Sequence, residues 1–323
     1  MNPTAQTINL QVTIPEDYAT LRLDQALARL LPDYSRSRLQ SFIRQQQVLV
    51  DGKPGRPRDK VHGGEKIAIA ATLLPEEDWS PEAIDLTVLY EDEEILVINK
   101  PVGLVIHPAV GNRQGTLLNA LIHHHPPLAT LPRAGIVHRL DKDTSGVLVI
   151  AKTLSAHTHL VKQMQQREIK REYAALVQGV MTAGGTVRSP MGRHPTIRTR
   201  MAVVASGKEA VTHYRVLERF RAHTLVKVIL ETGRTHQIRV HMAHIYYPLV
   251  GDQTYGGRLK IPAGIKDSLW QRLKAFKHQA LHAQHLTLQH PKTHDTMAFE
   301  APLPEEMQGL LAGLRADNRG ETS

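Results

Sequence analysis

The twelve residues from 135 to 146, Gly-Ile-Val-His-Arg-Leu-Asp-Lys-Asp-Thr-Ser-Gly, place a carboxylate, Asp141, between two short apolar runs. The runs 135–137 and 147–150 predict buried strands, whereas Asp143, Ser145 and Gly146 favour a loop. The chain is therefore expected to leave the core here and to return at once. A carboxylate in such a loop is a candidate for chemistry.

A calcium loop is one alternative interpretation of this stretch, because Asp141, Asp143 and Ser145 occupy ligand positions one, three and five and Gly146 occupies position six. Position twelve is Lys152, where a bidentate glutamate belongs, and a cation there argues against calcium.

Two further alternatives are a solvated charge cluster and a nucleophilic triad. A charged turn between two strands is common, and taken alone this stretch fits that description equally well. A triad of Ser145, His138 and Asp141 would crowd its members into eight positions and has no G-x-S-x-G nucleophile elbow.

The length of 323 residues predicts two or three domains, and a hydrophobic content of 41% is enough for ordinary globular cores. The chain has no cysteine, so disulfides and thiolate metal sites are excluded. We find no signal-peptide pattern at the N-terminus and no run of 18 apolar residues. These features predict a soluble protein of the reducing cytoplasm with no membrane partner.

The formal net charge of +9 predicts an anionic partner, and the distribution of charge is more informative than its total. Residues 75–95 carry nine acidic side chains and no basic one, so an acidic linker separates two basic bodies. The 19 histidines include no His-Glu-x-x-His pattern, and the run 123–125 has no adjacent ligand set. We therefore expect no metal site.

The N-terminal body begins with a helical pattern at 21–31 that ends at Pro32. A second helix capped by Ser35 or Ser37 is expected to run to about residue 45, followed by strands at 48–50 and 66–69 around an Asp51-Gly52 hairpin. This pattern over residues 17–74 resembles the S4 RNA-binding module. It departs from that module in having glutamines at 45–47, where S4 modules often place glycine. The resemblance implies RNA contacts at the basic helix start, through Arg36 and Arg38.

The C-terminal body predicts strands at 95–100, 135–138, 146–151, 173–179, 211–217 and 224–231, and a helix at 155–167 with Ser155 as a possible cap. Residues 184–209 are rich in Gly, Pro, Thr and Arg without clear periodicity, and such long excursions are often functional. Residues from 305 onward are polar and are expected to fray.

Four further segments carry polar groups within apolar surroundings: Asn99-Lys100-Pro101, Arg171-Glu172-Tyr173, Thr232-Gly-Arg-Thr-His-Gln-Ile-Arg239 and Gln279-Ala-Leu-His-Ala283. Together with 135–146 they resemble the RluA-type pseudouridine synthases over most of residues 92–302. The resemblance implies an α+β protein. Its expected parts are an N-terminal segment (1–16), an S4 domain (17–74), an acidic linker (75–95), a mixed, mostly antiparallel catalytic domain (96–304) and a polar C-terminal tail (305–323).

The resemblance implies that uridine is cut between N1 and C1′, rotated and rejoined through C5 without a cofactor. By the same resemblance Asp141 is the essential carboxylate, which either adds to C1′ or starts elimination through the 2′ position. Arg234 matches the arginine that pairs with this carboxylate, and an adjacent cation favours the ionised form of a carboxylate. Tyr173 matches the tyrosine that stacks on the target base and is a candidate to take the C5 proton.

Further residues are matched to RNA contacts or to the pocket wall. Arg139 matches the arginine that fills the gap left by the flipped uridine, which suits a planar cation. Lys100, Pro101 and Ile238 match the pocket floor, where a purely structural role is at least as well supported as a catalytic one.

The implied partner is ribosomal RNA, the helix 69 stem-loop of 23S RNA or a large-subunit precursor particle, and we expect a monomer. The alternatives are a synthase acting on another ribosomal or transfer RNA site, a non-catalytic S4-type assembly factor and a methyltransferase. An assembly factor would not need Asp141, Tyr173 and Arg234 together. A methyltransferase should show a glycine-rich loop after its first strand, and a glycosidase does not fit the basic charge balance.

Overall fold

The structure is a computed structural model, and it describes residues 6–31, 34, 36–73, 79–108, 114–259, 261 and 264–319. The proposed cap at Ser35 and residues 74–78 of the linker lie outside the described residues. Within the described part of the chain no helix is long and apolar enough to cross a membrane.

The N-terminal domain combines two helices with a small antiparallel sheet in the order β1-β4-β2-β3. Its elements in chain order are β1 (Gln6–Thr13), α1 (Leu23–Leu30), α2 (Arg36–Arg44), β2 (Val48–Val50), β3 (Lys53–Pro54) and β4 (Lys66–Leu73). Leu23 and Leu27 of α1 and Leu39 and Ile43 of α2 are fully buried in a core of their own. The helical spacing of the apolar residues in α1 is what the sequence pattern indicated.

Two details of this domain depend on local backbone conformation. Asp51 and Gly52 both have positive φ, 46° and 78°, as expected for a hairpin turn matched to the strand twist. Gln46, in the stretch where S4 modules often have glycine, also takes the left-handed conformation with φ of 58°. A difference from expectation is that β1 starts at Gln6 and pairs with β4 along its whole length, so residues placed outside the domain belong to its sheet.

The second domain is built on a nine-stranded sheet in the order β5-β6-β7-β14-β8-β13-β12-β9, with β15 pairing to β14. Its strands are β5 (Thr87–Glu91), β6 (Ile95–Lys100), β7 (Ser145–Ala151), β8 (Lys170–Gln178), β9 (Gly185–Arg188), β10 (Met191–Arg193), β11 (Met201–Val203), β12 (Val211–Arg219), β13 (His223–Leu230), β14 (Leu281–Gln289) and β15 (Thr296–Glu300). Its helices are α3 (Leu117–His124), α4 (Leu154–Gln166), α5 (Gln237–His244), α6 (Asp267–Ala275) and α7 (Glu305–Asn318). The pair β7–β14 is parallel and the other strand pairs are antiparallel, which confirms the mixed, mostly antiparallel α+β fold.

Several boundaries differ from the sequence-based expectation. The predicted strand at 135–138 is reduced to one bridge, Ile136 to Ile150, because Arg133, Ala134 and Gly135 form a left-handed turn just before it. The cap of α4 is Thr153, whose Oγ1 accepts from the Ala156 amide, rather than Ser155.

The expected linker and tail are also partly structured. The linker contains β5, which pairs with β6, so the sheet of the second domain begins inside the acidic segment. The expected frayed tail forms α7 through Asn318, whose Met307, Leu310, Leu311 and Leu314 are buried in the core that also contains Leu269 and Leu273 of α6.

The loop that carries Asp141 lies where β7 passes very close to β14. A side-chain carbon at Gly146 would lie 2.1 Å from the carbonyl oxygen of Ala283, and Gly146 has φ of 116°. Only glycine meets both requirements. The glycine that ends the 135–146 stretch therefore brings its loop to the middle of the sheet.

Candidate active site

Asp141 lies at the base of a cleft of about 520 Å³ that is lined by the 136–141 segment, by β8 and by the 233–239 turn. Its loop is closed by a hydrogen bond from the Thr144 amide to the Asp141 carbonyl (3.0 Å). The Gln279 side-chain amide donates to the Thr144 hydroxyl (3.1 Å), which ties the loop to the segment before β14. Three segments singled out from sequence thus meet at this carboxylate.

Lys100 anchors the same loop from below. Its Nζ donates to the carbonyls of Pro101 (2.7 Å), Leu104 (3.0 Å) and Lys142 (2.9 Å), and the residue is fully buried. Three carbonyl acceptors match the three donors of an ammonium group. The position of Lys100 thus supports a role in shaping the pocket floor.

Burial of the positive charge of Lys100 nevertheless costs free energy. Burial lowers its pKa to about 8, against the opposing effect of the carboxylates of Asp143 and Asp141. Near neutral pH the ammonium form prevails, and the three carbonyl contacts hold the loop backbone in place.

The partner of Asp141 is Arg239, and this corrects the expectation that Arg234 would pair with it. Arg239 Nη1 donates to Asp141 Oδ2 over 3.0 Å, whereas the exposed Arg234 donates through Nε to the Glu209 carbonyl (3.1 Å). The reason lies in the turn before α5. The buried Gln237 side chain accepts from the Arg234 amide (2.9 Å), so the chain turns into the helix there and Arg239 lies within it.

The guanidinium of Arg239 is held by a second carboxylate. Its Nε and Nη2 donate to Asp252 at 2.7 and 2.9 Å, a bidentate pair, while its carbon lies 5.1 Å from the centre of the Tyr255 ring. Burial disfavours the charge of Arg239, but Asp252 and then Asp141 outweigh this, so the net direction of its pKa shift is upward. Arg239 is therefore a fixed cation at the base of the cleft.

His236 is next to the same carboxylate. It has φ of 57°, a left-handed conformation uncommon for a residue with a side chain, at the N-terminus of α5. Its Nδ1 lies 2.8 Å from the Tyr255 hydroxyl and its Nε2 4.0 Å from Asp141 Oδ1. Burial lowers the pKa of His236, with Asp141 opposing, which favours the neutral ring.

Tyr173 lies on β8 and lines the cleft together with the 233–239 turn. The residue is 6% exposed, and burial, followed by the charge of Asp141, raises the pKa of its hydroxyl, while the Arg171 charge acts against this. The phenol is therefore protonated near neutral pH. The structure thus places Tyr173 in the wall of the cleft that contains Asp141.

The other expected residues are placed as follows. Arg139 is exposed at the cleft and Ile238 is buried in its wall. Arg36 in the N-terminal domain donates through Nε and Nη2 to Asp24 Oδ2 (3.0 and 2.8 Å), so this guanidinium is held by a buried carboxylate although it is about half exposed. Arg38 is half-buried on the same helix.

Among the described residues no cluster of three or more histidine or acidic side chains could hold a metal ion.

Sequence reasoning missed Arg239, Asp252, His236 and Tyr255 as members of the site. Arg239 and His236 were already inside the quoted 232–239 stretch, where the spacing of two arginines did not show which one would reach Asp141. No local pattern marked Asp252 or Tyr255, since their roles depend on the fold bringing the 252–255 turn beneath α5.

Comparisons with known proteins show the family to which this chain belongs. The sequence pattern of the family described as RNA pseudouridylate synthase matches residues 94–244, and the S4 domain pattern matches residues 21–67. The Ribosomal large subunit pseudouridine synthase D of Escherichia coli (strain K12) is 55% identical over 314 residues, covering 97% of this chain and 96% of that protein. The chain belongs to the RluA-type family of RNA pseudouridine synthases.

Other relatives support this assignment. The Ribosomal large subunit pseudouridine synthase D of Pseudomonas aeruginosa PAO1 is 56% identical over 304 residues, covering 94% of this chain and 95% of that protein. The solved structure of Human RNA Pseudouridylate Synthase Domain Containing 4 is similar with a TM-score of 0.55 and 25% identity, covering 71% of this chain and 93% of that one. The RluA-type synthase described here is therefore an RNA-modifying isomerase with an S4 domain.

Proposed function

We propose that this synthase converts uridine to pseudouridine in 23S ribosomal RNA, in the helix 69 stem-loop, and that Asp141 starts the reaction. The position of Asp141 at the base of the cleft, bound through Oδ2 to Arg239, is the observation that carries the chemistry. The choice of large-subunit RNA is supported by relatives more than 50% identical whose names specify the ribosomal large subunit.

The reaction is an isomerisation, so atoms and oxidation state are conserved and no cofactor is required. The N1–C1′ bond breaks, C5 bonds to C1′, a proton leaves C5 and a proton is gained at N1. Asp141 Oδ1 accepts no hydrogen bond from any described residue, whereas Oδ2 is held by Arg239. The carboxylate thus has one anchored oxygen and one that can act on the ribose, either at C1′ or through the 2′ position.

The remaining site residues receive roles consistent with their positions. Tyr173 stacks on the flipped base, and Arg139 occupies the gap that the base leaves in the RNA. Arg234, exposed at the mouth of the cleft, contacts RNA phosphate rather than Asp141. Ile238 and Lys100 shape the wall and floor.

The S4 domain positions the RNA through its basic surface at Arg36 and Arg38 and carries no reacting group. Held by Asp24, the Arg36 guanidinium has a defined direction, which suits phosphate recognition. We further propose that the enzyme acts as a monomer in the cytoplasm, where large-subunit particles are assembled.

The test is a map of pseudouridine in ribosomal RNA from cells with and without the gene, complemented with the wild type or with Asp141→Asn. We expect sites in helix 69 to lose the modification without the gene and to regain it only with the wild type. Loss of pseudouridine at other sites in ribosomal or transfer RNA, rather than in helix 69, would show that the enzyme has a different substrate. Restoration by Asp141→Asn would refute the role of the carboxylate.

A further inference from the structure

Arg171 is a buried cation in the cleft, and the reaction outlined above assigns no role to it. It precedes Tyr173 by two residues on β8, so the two side chains lie on the same face of the strand, and both line the cleft. The residue is only 8% exposed. A guanidinium at this depth is expensive unless something binds it.

No partner for Arg171 is found in the part of the chain that the structure describes. Its Nε is buried without a hydrogen-bond acceptor, and the ion pairs among the described residues include none with Arg171; the neighbouring carboxylate, Glu172, is paired with Lys227. Arg239 in the same cleft provides the contrast, since it is bound by both Asp252 and Asp141. Both are buried arginines of the cleft, but carboxylates of the protein compensate the charge of Arg239 and no described carboxylate compensates that of Arg171.

A second unpaired donor belongs to the same cleft. The His138 ring accepts a hydrogen bond at Nε2 from the Val149 amide (3.2 Å), so a neutral ring carries its proton on Nδ1. Burial, followed by the nearby charge of Arg171, lowers the pKa of His138 to about 3, which keeps the ring neutral. The Nδ1 atom is buried and has no partner.

The shape of the cleft wall accommodates Arg171 in this position. A side-chain carbon at Gly233 would lie 2.7 Å from Arg171 Nη1. Gly233 therefore leaves room for the guanidinium beside the 233–239 turn, and any larger residue there would displace it.

We propose that Arg171, with the Nδ1–H of His138 beside it, forms a binding subsite for a phosphodiester of the RNA next to the flipped uridine. The guanidinium of Arg171 has no carboxylate among the described residues to compensate its charge, so an anionic ligand would be bound most favourably there. The only anionic group of RNA is the phosphate. A uracil carbonyl oxygen could accept the same hydrogen bonds but would leave the charge uncompensated. The subsite depends on RNA as substrate, as the family membership requires, and not on the choice of helix 69.

The test compares Arg171→Met with Arg315→Met. Arg315 supplies the control because it is an exposed guanidinium outside the cleft lining, paired with Glu218, and its loss changes the net charge equally. The substrate is an RNA fragment that the wild type has first been shown to modify. Failure on helix 69 would then count against the proposed target only, while the subsite is tested on the RNA that does react.

For Arg171→Met we expect RNA affinity to fall about 10- to 100-fold and the slope of log affinity against log salt to shrink by about 0.7 to 0.9, the value for one lost phosphate contact. The melting temperature of the free enzyme should stay equal or rise, because an unpaired buried charge is removed. Arg315→Met should leave RNA affinity unchanged. A lower melting temperature with unchanged affinity would overturn the subsite and assign Arg171 a structural role.

Chemically modified RNA separates the two possible acceptors. A methylphosphonate at the phosphodiester that Arg171 binds removes the negative charge of that group. Arg171→Met should then cause little further loss of affinity for that RNA, because both changes remove the same contact. A scan of the phosphates flanking the target uridine identifies the position. The opposite result is that Arg171→Met weakens binding equally whichever phosphate carries the methylphosphonate, but has no effect on RNA with 4-thiouridine at the target. In that case Arg171 binds the uracil carbonyl oxygen, and the phosphate assignment is wrong.

Gly233→Ala provides an independent variant that leaves the charge in place. The added methyl group displaces the tip of Arg171, so we expect weaker RNA binding than for the wild type and no additional loss when it is combined with Arg171→Met. Additive losses in the double variant would show that Gly233 acts on RNA by another route and would contradict the proposed packing.

Discussion

Arg239 Nη1 donates to Asp141 Oδ2 across 3.0 Å, although 98 positions separate the two residues in the chain. The same guanidinium forms a bidentate pair with Asp252, so its direction is set before any substrate arrives. Lys100 fixes the backbone of the Asp141 loop from below. The carboxylate is thus preorganised by one cation on its side chain and another on its loop.

Replacement of Asp141 by asparagine should abolish product formation while RNA affinity and melting temperature stay close to those of the wild type. The amide preserves shape but cannot act as a nucleophile, and we expect turnover to fall by more than about 1,000-fold. Single-turnover assays with purified protein measure this. Turnover within tenfold of the wild type would show that another group starts the reaction.

The two arginines of the 232–239 stretch should differ sharply when each is changed to lysine. Arg239→Lys cannot bind Asp252 and Asp141 together, so we expect a turnover loss of about 100-fold or more and lower stability. Arg234→Lys keeps a charge at the exposed mouth of the cleft and should cost less than about tenfold. Equal losses for the two variants would contradict the assignment of Arg239 as the partner of Asp141.

Tyr173→Phe should retain stacking on the base, whereas Tyr173→Ala should lose about 1 to 3 kcal/mol of RNA binding. If the hydroxyl takes part in proton transfer from C5, the phenylalanine variant will bind normally and turn over slowly. Dissociation constants and single-turnover rates measured side by side separate the two functions. The division of roles fails if phenylalanine weakens binding as much as alanine does.

His223 offers a pH-dependent stability test away from the cleft. It is 1% exposed, both ring nitrogens lack partners, and burial, with Asp317 opposing, lowers its pKa to about 4. Between about pH 6.5 and 4 the His223 ring is therefore protonated in the unfolded chain and neutral in the folded chain. Because the unfolded chain then binds the additional proton, the free energy of unfolding falls as the pH falls through that window.

His223→Leu removes this penalty. We expect the variant to gain stability relative to the wild type as the pH is lowered from 6.5 to 4, by up to about 3 kcal/mol. Denaturant unfolding at several pH values measures the gain, with the exposed His123→Leu as control. A stability difference that does not change with pH would show that the pKa of His223 is the same in the folded and unfolded chain, and so that burial does not lower it.

Deletion of residues 1–74 should weaken RNA binding and broaden the choice among neighbouring uridines, with some product still formed. The reacting residues lie in the second domain, and two tethered binding bodies raise each other's effective concentration. Full-length and truncated protein should be compared on the same stem-loop with each modified uridine mapped. Identical affinity and site choice would remove the positioning role from the S4 domain.

Local patterns in the sequence were sufficient for the elements whose signals are local. The helix predicted from apolar spacing (α1), the second helix (α2), the Asp51-Gly52 hairpin and the strands β6, β8 and β13 are all present in the structure. The loop around Asp141 was recognised because polar residues interrupt apolar ones there, whereas Tyr173 was singled out through the family resemblance.

Tertiary structure alone decided the features that depend on contacts distant in sequence. The turn closed by Gln237 leaves Arg234 exposed and brings Arg239 to Asp141, and two arginines five positions apart carry no local sign of that difference. The same holds for β1, which needs β4 as its partner, and for α7, whose apolar residues pack against α6. Strand pairing and ion pairing are set by which surfaces the fold brings together, whereas helix spacing and turn chemistry are set by neighbours along the chain.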